Sequence, residues 1–223
     1  AYRLAKQNIC QKFDDYLDVN HHMGPDNFGA VHFSAYDIIK TIKNLIIDRI
    51  GYIDTKITSV NQDESGVTGL VSEDGTVYTA DLYLDCTGFS SVLLEKTLGE
   101  QFESFNDHLL CDRAVVLQTQ YKNPEEECFP YTKSTAMNAG WMFTIPIFTR
   151  IGNGYVYSSK YISDEDAEEE LRKKVGEYVA PVKFLKMKCG AHKQIAVKNI
   201  CAVGLSAGFV EPLEATGITF TTA

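Results

Sequence analysis

The sequence lacks the features that mark several common classes of protein. It has no run of lysine or arginine, and its 21 basic and 30 acidic residues give a formal net charge of −9, which argues against nucleic acid as a partner. No apolar run approaches the roughly 20 residues that cross a bilayer, and no signal-peptide pattern opens the chain. From these absences we predict a cytoplasmic protein that does not enter a membrane.

Cysteine and histidine are also sparse in the patterns that bind metals. The six cysteines include no Cys-x-x-Cys pair and no zinc-type spacing. Scattered thiols in a chain without a secretion signal usually stay reduced, so no disulfide framework is expected. His21 and His22 are adjacent in a glycine- and proline-containing loop, where neighbouring side chains point apart more often than they chelate. We therefore expect no metal.

The chain is long enough for one domain or two small ones. It has 223 residues, 44% of them hydrophobic, which is ample for a core. It begins with Ala1 rather than methionine and ends in Thr-Phe-Thr-Thr-Ala. Both ends therefore have the look of cut ends rather than natural termini.

Helical periodicity occurs in three places. Residues 2–19 have roughly helical spacing, and residues 34–51 carry an isoleucine-rich stripe that ends at Gly51. Ser34 with Asp37 has the pattern of a capping box. Residues 164–179, preceded by Ser163, have an acidic first turn and later lysines, which is typical of a solvated surface helix.

Strands are predicted between and after these helices, so the pattern indicates an α/β protein with additional antiparallel sheet. Three early segments joined by short turns form a predicted β-meander. Later strands are predicted by alternation or by short buried runs. The predicted strands cover residues 52–60, 66–72, 76–88, 112–121, 155–161, 184–190 and 199–204, with a helix-like run at 91–98.

Two of these strands run into slim glycine turns. "LYLDCTGF" (82–89) ends at Thr87-Gly88, and "NICAVGLSAGFVEPLEATGI" (199–218) turns at Gly204 before a possible helix start at Pro212. Glycine lets a ligand approach the backbone closely, and a helix N-terminus suits an anion. Two such turns in one chain favour a single nucleotide ligand between them.

Two further patterns leave alternatives open. Glu211 and Glu214 flank Pro212, and spacing alone favours surface acids in a helical first turn, each contributing about 0.3–1 kcal/mol. In "NAGWMFTIP" (138–146), alternation puts Trp141 and Phe143 on one face of a strand. This pair is either a core aromatic pair or the wall of a ligand pocket.

Four segments, in this order, resemble the flavin-dependent tryptophan halogenases: "DCTGF", "GWMFTIP", "RIGNGYVYSSKYISDEDA" and "GLSAGFVEPLEATGI". The last is similar to the family's flavin and halide segment, and "GWMFTIP" resembles its Gly-Trp-x-Trp-x-Ile-Pro signature. The resemblance runs from about residue 30 to the end and implies an α/β fold. The expected architecture is part of an FAD-binding doubly wound domain, of the glutathione-reductase and flavin-monooxygenase type, with an interleaved antiparallel substrate-side sheet. Residues 30–111 and 184–223 would be flavin-side segments, and 112–183 the substrate-side sheet and helix.

The resemblance also implies roles for individual residues. Glu214 would be the catalytic carboxylate, which polarises or positions groups around the halogenating species or takes the proton that the arene releases. The amides of Thr216 and Gly217 would hold the halide. The expected FAD contacts are Ile57, Thr87, Gly88, Leu205 and Ile218, and the expected substrate or tunnel wall is Trp141, Phe143 and Pro146.

The implied reaction uses reduced FAD from a separate, transiently bound flavin reductase, together with O2 and chloride or bromide. A halogenating species would pass through a tunnel to tryptophan or a related indole or phenol. Leu205 stands where hydroxylating flavin monooxygenases often carry aspartate, which favours halogenation. The family's Gly-x-Gly-x-x-Gly turn and catalytic lysine are expected upstream of Ala1, so no lysine here receives that role and this part alone is expected to be inactive.

The sequence departs from the family pattern at two positions. Phe143 replaces the second signature tryptophan, and Ala215 replaces a serine beside Glu214. These departures keep two alternatives open: a flavin-dependent monooxygenase that hydroxylates its substrate, and a flavin-fold protein that binds a ligand without turnover.

Overall fold

The computed structural model describes residues 32–129, 131–179 and 181–213. The predicted helix at 2–19, the His21–His22 pair and the segment 214–223 lie outside these residues. The chain divides into two compact units: the first is Ala1–Gly51 with Arg113–Leu185, and the second is Tyr52–Asp112 with Lys186–Ala223. None of the helices in the described ranges is long and apolar enough to cross a membrane, and no group of three or more metal-binding side chains occurs there.

The described chain contains both helices and strands, which confirms the mixed α/β prediction. The helices are α1 (Ala35–Ile46), α2 (Pro124–Glu127) and α3 (Asp164–Val175), with a π-helical segment at Val92–Thr97. The strands of the first half are β1 (Ile57–Asp63), β2 (Gly66–Ser72), β3 (Val77–Tyr78), β4 (Tyr83–Asp85), β5 (Phe102–Ser104), β6 (Arg113–Thr119) and β7 (Lys133–Met137). Those of the second half are β8 (Gly140–Ile147), β9 (Arg150–Tyr157), β10 (Lys183–Lys186), β11 (Gly190–His192), β12 (Ala196–Val197), β13 (Ile200–Ala202) and β14 (Gly208–Phe209).

The second unit contains three small sheets. Their strand orders are β1-β2-β3, β14-β11-β5 and β12-β13-β4, and the first of these is the predicted meander. The predicted strand at 76–88 is wrong as a single element, because the amide of Ala80 leaves the ladder and donates to the Tyr83 hydroxyl (3.0 Å). The chain then joins another sheet as β4. The core of the unit consists of Val67, Tyr83, Leu93, Leu94, Ile200 and Ala202.

The first unit is built on a five-stranded antiparallel sheet in the order β10-β6-β9-β8-β7, with α3 packed against it. Its core consists of Val115, Leu117, Met142, Tyr155, Tyr157, Ala167 and Leu171. The predicted strand through residue 161 ends earlier, because the chain turns after Tyr157 and the amide of Tyr161 bonds to the Ser158 carbonyl (3.0 Å). Tyr161 is consequently exposed.

α1 and α3, each preceded by a serine, differ at their N-termini. The Ser163 hydroxyl accepts a hydrogen bond from the Asp166 amide (3.1 Å), as an N-cap residue should. Ser34 precedes α1, but its side chain makes no capping bond, so the capping-box prediction is wrong there. The amides of Asp37 and Ile38 donate to the Ser34 carbonyl instead. No residue of α1 is buried, and its apolar stripe is exposed.

Candidate active site

The two glycine turns predicted from the sequence lie side by side in the second unit. Strands β4 and β13 are parallel neighbours, with Asp85 opposite Ala202. The Val203 amide continues this ladder by donating to the Asp85 carbonyl (3.0 Å). Because parallel strands end at the same edge of a sheet, the turn after each strand emerges at that edge.

Glycine is required in both turns by the backbone. Gly88 has a φ of +64° and Gly204 a φ of +67°, a conformation that L side chains rarely adopt. A Cβ added at Gly88 would meet no atom of the described residues within 4 Å, so the space beside this turn is open as far as those residues go. Leu205, in the second turn, is 42% exposed. At this edge of the sheet a ligand would therefore meet two glycines, which carry no side chain, and the uncharged side chain of Leu205.

Asp85 is a central residue that sequence reasoning missed. Its side chain is fully buried, yet its carboxylate accepts four hydrogen bonds. Burial by itself would raise the pKa of Asp85, but the bonds from Thr87, Leu94 and Leu93 outweigh it and hold the pKa below the ordinary 3.8. The sequence does contain a signal for Asp85. Asp85 lies two residues after Tyr83, on the same buried face of β4, and directly before the Cys-Thr-Gly turn.

Thr87 donates both of its polar hydrogens to another residue of the chain. Its amide (3.0 Å) and its hydroxyl (2.6 Å) both donate to Asp85 Oδ1. The same hydroxyl oxygen accepts from the Val92 amide (2.8 Å). Neither the amide nor the hydroxyl hydrogen of Thr87 is therefore left for a ligand at this turn.

The two turns are also linked to each other. The hydroxyl of buried Ser91 donates to the Ser206 carbonyl (3.1 Å), and the Ser206 hydroxyl donates to the Asp85 carbonyl. Phe89 and Phe209 meet edge to face with ring centroids 5.3 Å apart. Three contacts thus fix one turn against the other.

The remaining predicted flavin and halide residues are placed elsewhere or lie outside the described residues. Ile57 begins β1, in a different sheet from β4 and β13, and is 38% exposed. Glu211 accepts a hydrogen bond from the Leu213 amide (2.9 Å) within a turn. No helix starts at Pro212 within the described residues, so the predicted role of Glu211 in a helical first turn stays a prediction. The described residues end at Leu213, so the roles of Glu214, Thr216, Gly217 and Ile218 stay predictions.

The predicted aromatic wall lies on β8 of the first unit. Trp141 and Phe143 are half-buried on one face of the strand, with ring centroids 6.0 Å apart. Met142, between them, points to the opposite face and is buried in the core. Pro146 is four residues from Met142 and is buried like it. It therefore lies on the same face of β8 as Met142, opposite the two aromatic rings. Its carbonyl accepts a hydrogen bond from His32 Nδ1 (2.9 Å).

The family model for tryptophan halogenases matches residues 20–223, and the chain belongs to this family. It is 38% identical to the 7-chloro-L-tryptophan 6-halogenase KtzR of Kutzneria sp. (strain 744), over 97% of this chain and 43% of that protein. It is 39% identical to the tryptophan 6-halogenase SttH of Streptomyces toxytricini, over 95% and 43%. The chain thus spans less than half the length of these curated relatives.

Solved structures agree with this assignment. The crystal structure of SttH aligns with a TM-score of 0.80 at 36% identity, covering 90% of this chain and 43% of that one. BrvH, a flavin-dependent halogenase from Brevundimonas sp. BAL3, aligns with a TM-score of 0.79 at 34% identity, covering 86% and 38%. Membership of this family implies FAD and a halide.

Proposed function

We propose that the protein containing this chain is an FAD-dependent halogenase that uses reduced flavin, O2 and chloride or bromide. Its substrate is tryptophan or a related indole or phenol. The observation that carries this proposal is the pair of glycine turns after β4 and β13, adjacent at one sheet edge in a chain that matches the halogenase family over residues 20–223. The relatives KtzR and SttH are named for action on 7-chloro-L-tryptophan and tryptophan.

The residues at the paired turns suit a flavin. Gly88 leaves the space beside the turn open as far as the described residues go, and Leu205 offers an exposed apolar contact. Thr87, Ile57 and Ile218 would complete the contacts. When bound, FAD supplies the oxidising chemistry that turns halide into a halogenating species.

The other residues divide the remaining tasks. The amides of Thr216 and Gly217 would hold the halide, as free amides at a helix start suit an anion. Glu214 would accept the proton that the aromatic ring releases, or polarise the groups around it. Trp141 and Phe143 would line the path to the substrate and exclude water from it, a common need where an intermediate is reactive. Pro146, on the buried face of β8, would support this wall from behind.

A separate flavin reductase would supply reduced FAD through transient contact, and the reaction would take place in the cytoplasm. The chain carries no Gly-x-Gly-x-x-Gly segment and no lysine at a family-matched catalytic position. Both would belong to the remainder of the full-length protein.

The test is a turnover assay with the full-length protein, a flavin reductase and its nicotinamide reductant, FAD, O2, chloride and tryptophan, followed by mass spectrometry. A product with one hydrogen replaced by chlorine supports the proposal, and omission of chloride should abolish it. A hydroxylated product would instead establish a monooxygenase. Retention of FAD without any product across a panel of indoles and phenols would establish a ligand-binding protein.

A further inference from the structure

We propose that Asp85 is a positioning residue for the flavin: its buried carboxylate holds the turn of residues 86–88 in the shape that receives the cofactor. This inference rests on the proposed function and deepens it, because it concerns the same sheet edge. Asp85 itself lies behind the turn and is not assigned a contact with FAD.

The carboxylate divides its four hydrogen bonds between two structures. Oδ1 accepts from the amide and hydroxyl of Thr87, in the turn. Oδ2 accepts from the amides of Leu93 (2.8 Å) and Leu94 (2.9 Å), near the start of the π-helical segment. One side chain therefore fixes the turn against the helix that follows it.

The main-chain carbonyl of Asp85 also bonds to the second turn. Its carbonyl accepts from the Val203 amide and from the Ser206 hydroxyl, which flank Gly204 and Leu205. Asp85 therefore makes hydrogen bonds to both turns of the candidate flavin site. A displacement of Asp85 would move both of them.

The negative charge is needed as well as the shape. Each oxygen faces two donors, and bonds from neutral donors to a carboxylate are stronger than neutral pairs. The carboxylate also lies at the start of a helical segment, where negative charge is favoured. In Asp85→Asn, the NH2 group would face two donors and leave them unsatisfied in a buried place.

The experiment compares four variants of the full-length protein. Asp85→Asn removes the charge and half of the acceptors. Thr87→Val removes one donor to the carboxylate with little change of shape, and Thr87→Ser keeps that donor. Asp74→Asn is the matched control, because Asp74 Oδ1 accepts from the Ser72 hydroxyl (2.5 Å) and the Thr76 amide (3.0 Å) in an exposed hairpin. For each protein, the FAD Kd, the visible spectrum of bound FAD and the melting of the apoprotein are measured.

We expect Asp85→Asn to raise the FAD Kd by about tenfold or more and to alter the spectrum of the bound flavin, as loss of bonds to a charged acceptor predicts. Thr87→Val should raise the Kd about threefold and also lower the apoprotein melting temperature, because the Val92 amide loses its acceptor as well. Thr87→Ser retains the hydroxyl and should stay closer to the wild-type Kd than Thr87→Val, while Asp74→Asn should keep the wild-type Kd and spectrum.

The outcomes separate this inference from the proposed function. If the wild-type protein binds no FAD, the proposed function fails. If it binds FAD, and folded Asp85→Asn and Thr87→Val keep its Kd and spectrum, the positioning role fails while the function stands. If Asp85→Asn does not fold, the comparison of Thr87→Val with Thr87→Ser decides, since equal Kd values for these two variants would overturn the role.

Discussion

The ring of Phe143 occupies the space above Gly154, its partner across the β8–β9 hairpin. A Cβ added at Gly154 would overlap three atoms of that ring. An aromatic side chain over a cross-strand glycine is a recognised way to stabilise a glycine within a sheet. The orientation of Phe143, one of the two aromatic residues of the predicted wall, therefore depends on the absence of a side chain at Gly154.

Gly154→Ala should displace the Phe143 ring and lower halogenation by the full-length protein. Overpacking of this kind costs about 1–3 kcal/mol of folding stability, so the protein should still fold. Product formation and thermal melting are the measurements. Gly152→Ala, on the same strand, is the control, because its Cβ would lie 3.7 Å from the Ile145 carbonyl oxygen, an ordinary contact. Equal activity in the two variants would show that the ring position does not matter.

Trp141→Ala should spare flavin binding and lower turnover, because Trp141 is only half-buried on its face of β8. Its stability cost should fall below the about 3–5 kcal/mol that fully buried aromatic truncations cost. Met142→Ala, on the buried face, should show the opposite pattern, with a loss of about 2–5 kcal/mol and little change in specific activity. Melting curves beside turnover assays distinguish the two. A collapse in melting for Trp141→Ala with unchanged specific activity would make it a core residue.

Glu214→Gln should leave the fold and flavin binding intact and reduce the halogenated product at least about tenfold, because loss of a positioned proton acceptor typically costs about 10²–10⁴ in rate. The assay contains reductase, O2 and chloride. Glu211→Gln serves for comparison, since a glutamine can still accept the bond from the Leu213 amide. Wild-type product formation by Glu214→Gln would reduce Glu214 to a helix-start acid.

Cys189 should resist alkylation. Burial first, and then the nearby charges of Glu211 and Cys111, raise the pKa of Cys189 to about 11, so about one molecule in a thousand carries the thiolate at pH 8. Iodoacetamide should modify exposed Cys86 at least about a hundredfold faster, as peptide mass spectrometry would reveal. Comparable rates for the two thiols would contradict the burial of Cys189.

The same raised pKa predicts the sign of a pH effect on stability. The unfolded chain releases the Cys189 proton near 9.0, whereas the folded chain keeps it up to about 11. The unfolded state therefore binds fewer protons between these values, and the free energy of unfolding should fall as pH rises from 9 to 11. Chemical denaturation at pH 8 and at pH 10.5 measures it, with Cys189→Ala losing this part of the slope.

The 223-residue chain by itself should bind FAD poorly. It contributes two turns, but its sequence contains no Gly-x-Gly-x-x-Gly segment, whose amides and helix dipole anchor a pyrophosphate. Titration of FAD against the purified chain is the measurement. A sub-micromolar Kd would contradict this expectation.

Features with a local cause were predictable from the sequence. Alternation located β6 and β8, since period-two patterns determine which face of a strand is buried, and the short turns on either side located β2. The serine before α3 identified its start because an N-cap bond spans only three residues. The adjacency of the two glycine turns was also anticipated, because slim turns after buried strands tend to gather at one sheet edge.

Features that depend on distant partners were not predictable. Nothing in the residues 76–88 shows that the chain leaves one sheet at Ala80 and enters another at Tyr83, since sheet membership is decided by β13 far along the chain. The role of Asp85 depends on amides eight and nine residues onward, whose direction is determined by a π-helical segment. Nothing in the structure explains why Ser34 makes no capping bond.

The apolar stripe of α1 has a practical consequence for anyone who handles this chain in solution. Tyr36, Ile39 and Leu45 are 73%, 64% and 70% exposed, and no residue of the helix is buried. A contiguous apolar surface of this kind promotes self-association. The net charge of −9 opposes self-association by repulsion, but only at low ionic strength, because salt screens the charges. We therefore expect the chain to stay dispersed in dilute, low-salt buffer and to self-associate when it is concentrated in physiological saline.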